Sequence, residues 1–325
     1  AGARGETAAQ IRAALRISGS DEAAHLEFAG TVRRLNAGGG GKHEFNVANS
    51  LWAQQGAPLQ PEFLDLSARH YDGGMHTVDF TGDVESVRAT MNRWVEDRTR
   101  QRIRELVPAG ELSELTRLVL INALHLKAAW DCAFDPDLTQ DRPFHLEGGR
   151  VVPVPTMVQT LWCDHVRAQG YQAVELVYQG QDLSMLILLP DMKDGLPAFE
   201  ARLSEQMLHD GVRQRARREV RLCLPRFRFE WGAAHLASPL AELGMPLAFS
   251  TRADFSGING HVPPAENALH LSAVIHKVFV EANEAGIEAA AATAILCAVT
   301  AMEGSAPDPL TFRADHPFLF AIREQ

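Results

Sequence analysis

Lysine is scarce in this chain. Only four of its 31 basic residues are lysine (Lys42, Lys127, Lys193, Lys277) and the rest are arginine, which follows a GC-rich genome better than a binding surface. Positive charge is also short overall, with 41 acidic residues and a formal net charge of −10. That balance argues against nonspecific nucleic-acid binding, which needs a basic face. The one basic cluster (Arg213, Arg215, Arg217, Arg218, Arg221) is interrupted by Glu219 and lacks interleaved aromatics, so it reads as a solvated helix end. No membrane span is expected, since the longest uncharged small-residue run is shorter than the ~20 apolar residues a spanning helix needs. The four cysteines (Cys132, Cys163, Cys223, Cys297) form no CxxC and show no zinc spacing. Each lies in an apolar or strand-like context, where a buried free thiol is the ordinary outcome.

Signatures of catalysis are missing as well. There is no GxSxG, no HExxH and no His/Cys cluster with metal spacing, so neither metal nor cofactor is implied. The run Gly-Gly-Gly-Gly-Lys-His at 38–43 departs from a phosphate loop, with Asn36 before it and His43 after Lys42, and reads as a flexible turn. His276 beside Lys277 reads as a satisfied core histidine. Trp52 and Trp130 read as large core residues.

What is present is a chain of 325 residues, 46% hydrophobic and 22% charged, with room for a large core. No linker or repeat divides it, so a single domain over 1–325 is expected. Helical periodicity runs through 7–15, 21–35, 61–71 and 84–106; Val84, Val87, Met91, Trp94, Val95 and Ile103 stripe the last. Extended patterns cover 46–54, 75–80, 116–127, 172–178, 183–189, 220–228, 269–281 and 310–322. Strands outnumber helices in the second half without strict alternation, which predicts an α+β fold with large antiparallel or mixed sheets.

The most unusual stretch is Ala289–Met302, with no charge, glycine or proline. As a helix it is a buried alanine-rich core segment. As a strand it puts Ile287, Ala289, Ala291, Thr293, Ile295, Cys297 and Val299 on one uncharged face. Its small side chains would let it slip between two other strands. Gly286, between Glu284 and Glu288, is a hinge candidate.

Several motifs together resemble the serpin family. Glu284-Ala-Gly-Ile-Glu-Ala-Ala-Ala-Ala-Thr293 is similar to the hinge of its reactive-centre loop, and Phe312-Arg-Ala-Asp-His-Pro-Phe-Leu-Phe320 to the segment after that loop. Asn122-Ala-Leu-His-Leu-Lys-Ala-Ala-Trp130, with Phe134, resembles the strand ending where the loop begins to insert. Asn92-Arg-Trp-Val-Glu96, Thr99 and Ile103 match the helix lying across the main sheet. Leu224-Pro-Arg-Phe227, Asp254-Phe-Ser-Gly257 and Leu271-Ser-Ala-Val-Ile-His-Lys277 follow in family order.

The resemblance implies three β-sheets with a large central mixed sheet, about eight or nine helices, and an exposed reactive-centre loop near the C-terminus. It implies an irreversible suicide inhibitor of serine, or cysteine, proteases. The protease cuts the loop and is trapped as an acyl-enzyme while the loop inserts as a new central strand. About 15 residues at ~3.3 Å each would carry it roughly 50 Å. Glu284, Gly286, Ile287, Glu288, Ala289, Ala290, Ala291, Ala292 and Thr293 are then the hinge. Trp130, Asn122 and His276 are the sheet-opening residues, and Thr300–Ala301 is the reactive bond. Small residues around that bond suit an elastase-like or subtilisin-like target. No nucleic-acid partner is expected, and the inhibitor is expected to be a monomer, secreted or periplasmic rather than cytoplasmic. Ile287 replaces the threonine usual in inhibitory members, which a neutral β-branched residue should tolerate. Against the family pattern, helices before Gly2 and a hairpin after Gln325 are expected and not found. The alternative is a non-inhibitory member serving as chaperone, carrier or storage protein; an enzyme is not expected.

Overall fold

A computed structural model of the protein describes residues 1–36, 43–56, 58–71, 74–287 and 308–325. Its elements run in the order α1 (Gly5–Ala14), α2 (Asp21–Asn36), β1 (His43–Gln54), α3 (Pro61–His70), β2 (Met75–Val78), α4 (Val84–Arg98), β3 (Leu118–Ala129), β4 (Gln140–His145), β5 (Val151–Ala168), β6 (Tyr171–Val177) and β7 (Leu183–Pro190). There follow α5 (Leu196–Glu200), α6 (Glu205–Gln214), β8 (Ala216–Pro225), β9 (Phe227–His235), α7 (Ala237–Glu242), α8 (Ser256–Asn259), β10 (Ala273–Asn283), β11 (Gly286–Ile287), β12 (Leu310–Arg313) and β13 (Leu319–Glu324). The fold is α+β, as the periodicities predict.

The chain forms two compact units, one of Ala1–Gly38, Phe45–His125 and Glu230–Phe279, the other of Gly39–Glu44, Leu126–Phe229 and Val280–Gln325. In the first, β1 pairs in parallel with β2, and β3 in parallel with β10. Alternation along β3 sends Val119, Ile121 and Ala123 into one core with Trp52, Phe80, Met91, Val95 and Ile275. Leu118 and Leu120 join a second core with Phe63, Phe255, Ile258 and Leu271. Met91 and Val95 of α4 are wholly buried, and each contributes ~1.5–3 kcal/mol by leaving water. The Asp83 carboxylate caps that helix by accepting from Ser86 N at 3.1 Å.

α4 is shorter than its periodicity predicts. It stops at Arg98, and Arg100 and Gln101 take φ of 52° and 63°, which no α-helix continues. Thr99 Oγ1 donates to Val95 O at 2.8 Å and accepts from Ile103 N at 3.2 Å. Ile103 and Leu106 are fully buried all the same. The chain folds back, and the Asn92 amide pairs with both backbone groups of Val107, at 3.0 and 2.8 Å. The apolar spacing reported burial correctly and helix incorrectly.

In the second unit, β5 is an 18-residue strand that pairs with β4, β8 and β6 in turn. The seven-stranded sheet has the order β12-β8-β5-β6-β7-β13, with β4 also on β5. Because β5 is unbroken, it joins two of the three expected sheets: β4, β8 and β12 lie on one part of it, β6, β7 and β13 on the other. The pattern over 220–228 resolves into β8 and β9, parted at Arg226; that over 310–322 resolves into β12 and β13, parted around Pro317.

Candidate functional site

The β3–β10 seam organises the candidate residues. Within the first unit the two strands pair directly through seven residues, Val119–His125 against Ala273–Phe279. Within the second unit β11 lies between their ends, antiparallel to both. Gly286 faces Ala129 and Asn283, and Ile287 faces Ala128 and Ala282. A short third strand therefore already occupies one end of the seam.

Glycine is required at 286. Its φ is 141°, and a Cβ there would stand 2.1 Å from the Ala128 carbonyl oxygen and 2.6 Å from Ala129 Cα. Ile287 is fully buried. The three residues before β11 are held by their carbonyls: Trp130 Nε1 donates to Asn283 O, Phe134 N to Glu284 O and Trp130 N to Ala285 O, each at 2.9 Å. Asn283 Oδ1 turns back to accept from Ala285 N at 3.0 Å and Gly286 N at 3.3 Å, an Asx turn that aims the chain into the seam.

Glu284 is buried and ionised. Its Oε1 accepts from Thr139 Oγ1 at 2.5 Å and from Arg226 Nε at 2.6 Å. Burial alone would raise this carboxyl; the bonds from Arg226 and Thr139 outweigh it and hold the group below the usual carboxylate range. Trp130 stacks on Tyr178 at 4.6 Å with rings 10° apart and meets Phe134 edge-on. The Tyr178 hydroxyl is buried without a hydrogen-bond partner, and desolvation raises its pKa well above that of an ordinary phenol.

Asn122 and His276, in the first unit, are brought together at the seam: His276 Nδ1 lies 2.5 Å from Asn122 Oδ1, and Asn122 Nδ2 donates to Asn49 Oδ1 at 2.5 Å. Burial keeps the His276 imidazole below its ordinary value, against the opposing hydrogen bond with Asn122. Lys277 is engaged away from His276: its Nζ is 2.5 Å from Glu230 and donates to Arg104 O at 2.6 Å.

Of the sequence candidates, Glu284, Gly286, Ile287 and Trp130 thus converge, and Asn122 meets His276. Glu288, Ala289, Ala290, Ala291, Ala292, Thr293, Thr300 and Ala301 lie outside the described residues. Sequence reasoning missed Asn49, Thr139, Arg226, Asn283 and Tyr178. Each is polar in a strand or turn, and only the sheet register reveals its partner. Among the described residues, no helix is long and apolar enough to cross a membrane.

Comparison with known proteins agrees with this geometry. Residues 1–325 match the family model described as serpin (serine protease inhibitor). The chain is 36% identical to an uncharacterized serpin-like protein of Thermococcus kodakarensis, covering 100% of this chain and 73% of that one. It is also 36% identical to the leukocyte elastase inhibitor of Bos taurus, over 100% of this chain and 85% of the relative. Among solved structures, Arabidopsis AtSerpin1 in its native stressed conformation aligns with a TM-score of 0.86 at 31% identity, over 100% of this chain and 84% of that one. A match over every residue, joined to a shared fold and a seam held open at one end by a glycine-led strand, makes this chain a member of the serpin family.

Proposed function

We propose that this serpin is an irreversible suicide inhibitor of serine proteases with elastase-like or subtilisin-like specificity. The observation that carries the reading is the seam. β3 and β10 are still paired directly over seven residues, while Gly286 and Ile287 are already seated between them at one end. This arrangement supports the reading of an unspent inhibitor. The two strands are closed on each other over those seven residues, and Gly286 and Ile287 are in register at the end from which the proposed insertion would start.

In the reaction, the protease serine attacks the carbonyl carbon of the residue before the cut bond, Thr300 by family position. An ester forms to the serine, and the new amino group leaves on Ala301. Insertion of the loop from Ile287 onward then competes with hydrolysis of that ester. Trp130 and the Asn122–His276 pair mark where the seam parts. The gain that drives insertion is new ladder pairing and burial of the apolar loop face. The elastase-like preference is supported by the small residues Ala298, Val299, Thr300 and Ala301 and by the name of the bovine relative.

The test is to mix the protein with pancreatic elastase or subtilisin and resolve the products on a denaturing gel, with mass spectrometry of the released peptide. An SDS-stable adduct and a peptide beginning at or near Ala301 are expected. Cleavage with no adduct would overturn the inhibitor reading and favour a chaperone, carrier or storage role.

A further inference from the structure

The first unit contains a small cavity with a marked charge bias. It has a volume of about 100 Å³ and lies among α2, β1, α3, β2 and α4. Its lining includes Arg33, Arg69, His70, His76 and Arg98, and no carboxylate. In a chain of net charge −10 three arginines and two histidines around one cavity without a carboxylate in its lining make a local excess of positive charge and of hydrogen-bonding nitrogens.

Two buried ring nitrogens in this lining, His70 Nδ1 and His76 Nε2, have no hydrogen-bond partner. Buried polar atoms are ordinarily satisfied, so each such atom calls for a partner. His76 is fixed in place by stacking on Trp52 at 4.2 Å, and its ring meets Trp94 edge-on. Arg98 lies over the Trp94 ring at 5.4 Å, which holds its guanidinium at the cavity. Arg69 is paired with Asp65 at 2.9 Å. Among the described residues, Arg33 and Arg98 have no carboxylate partner.

The geometry points to a binding site for one small oxyanion, a phosphate, sulfate or carboxylate group. Arg33 and Arg98 supply charge at its rim, and the His70 and His76 ring nitrogens supply hydrogen bonds within. A water needs only ~10–15 Å³ of such space, so the cavity has room for several waters or for one such group. Guanidinium donors match the spacing of oxyanion oxygens. Burial, with the Arg98 charge added, holds the His76 imidazole below its ordinary value, a field that a bound anion would offset. Asn49 also lines the cavity and is the acceptor for Asn122, so the site abuts the seam.

The experiment titrates the full chain with sodium phosphate, sodium sulfate and sodium malonate at constant ionic strength, balanced with sodium chloride. Melting temperature, heat of binding and the imidazole nitrogen resonances are followed. A saturable rise in Tm, one-to-one heat, and shifts confined to His70 and His76 are expected with at least one anion; comparing the three salts distinguishes inorganic anion from carboxylate. The exposed pair Arg33→Gln and Arg98→Gln should fold normally and bind ~10-fold or more weakly, since a charge-assisted hydrogen bond contributes about 1.5–3 kcal/mol. A Tm that climbs linearly with every salt, unmoved imidazole resonances, or equal affinity in the double variant would each overturn the site, leaving a cavity filled by water alone.

Discussion

Gly286 lies against the Ala128 carbonyl so closely that a methyl group at 286 would stand 2.1 Å from that oxygen. With φ at 141° the position also disfavours any side chain. Gly286→Ala should therefore unseat β11 at a cost of about 2–4 kcal/mol from crowding and backbone strain. A Tm lowered by several degrees and faster exchange of the Ile287 amide would show it; an unchanged Tm would mean that β11 contributes nothing to the ground state.

Ile287 is the first side chain of the loop to be fully enclosed. Ile287→Arg should place an unpaired charge in that position, which is far more costly than losing the apolar contact alone. The expected result with elastase or subtilisin is a shift from adduct to cleaved product, read as a several-fold higher molar ratio of inhibitor needed for full inhibition. Ile287→Val should behave as the parent.

Glu284 gives a pH prediction with a definite sign. Its folded pKa is lowered, so its contribution is complete above the ordinary value of ~4.3 and is lost as pH falls through the lower folded value. Against Glu284→Gln, the parent should be more stable by about 1 kcal/mol at neutral pH, a modest figure because Arg226 is partly exposed. Thermal melts of both proteins between pH 7 and about pH 3 should converge at the acid end.

His276 behaves in the same direction for the opposite chemical reason. Its folded pKa is lowered by burial, so the neutral ring is favoured and stability erodes as pH drops below ~6.5. The stability difference between the parent and His276→Gln should shrink over that interval. Asn122→Ala, which removes the partner of both His276 and Asn49, should cost about 1–2 kcal/mol at any pH above it.

Tyr178→Phe is expected to be neutral or stabilising by up to about 1 kcal/mol, although the residue is fully buried under Trp130. The ring stack survives the change, and a buried hydroxyl without a partner is removed. A loss of more than 1 kcal/mol would reveal a hydrogen bond at that oxygen.

The special backbone position at Gly286 was legible from sequence because its demand is local. The uncharged run after it reads equally as a buried helix or as a strand, and its residues lie outside those described. The Trp130 and His276 assignments came from motif order rather than from chemistry visible in their neighbours. The Arg226–Glu284–Thr139 group joins positions 58 and 145 residues apart, and no pattern within one segment could foretell it. β5 was missed because Pro153 and Pro155 argue against a strand; the register nevertheless seats Pro153 opposite Pro143. α4 was overextended because burial of Ile103 and Leu106 mimics a helical stripe.

The arrangement at the seam also gives the proposed loop entry a direction. β3 and β10 meet through one parallel ladder, whereas β11 is antiparallel to each of them. If the chain after Ile287 inserts as proposed and keeps that orientation, each advancing residue would exchange one slanted row of hydrogen bonds for two perpendicular rows, the slightly stronger kind. Under the proposed insertion the net gain would be one row of bonds per step, so withdrawal would become harder with every pair closed.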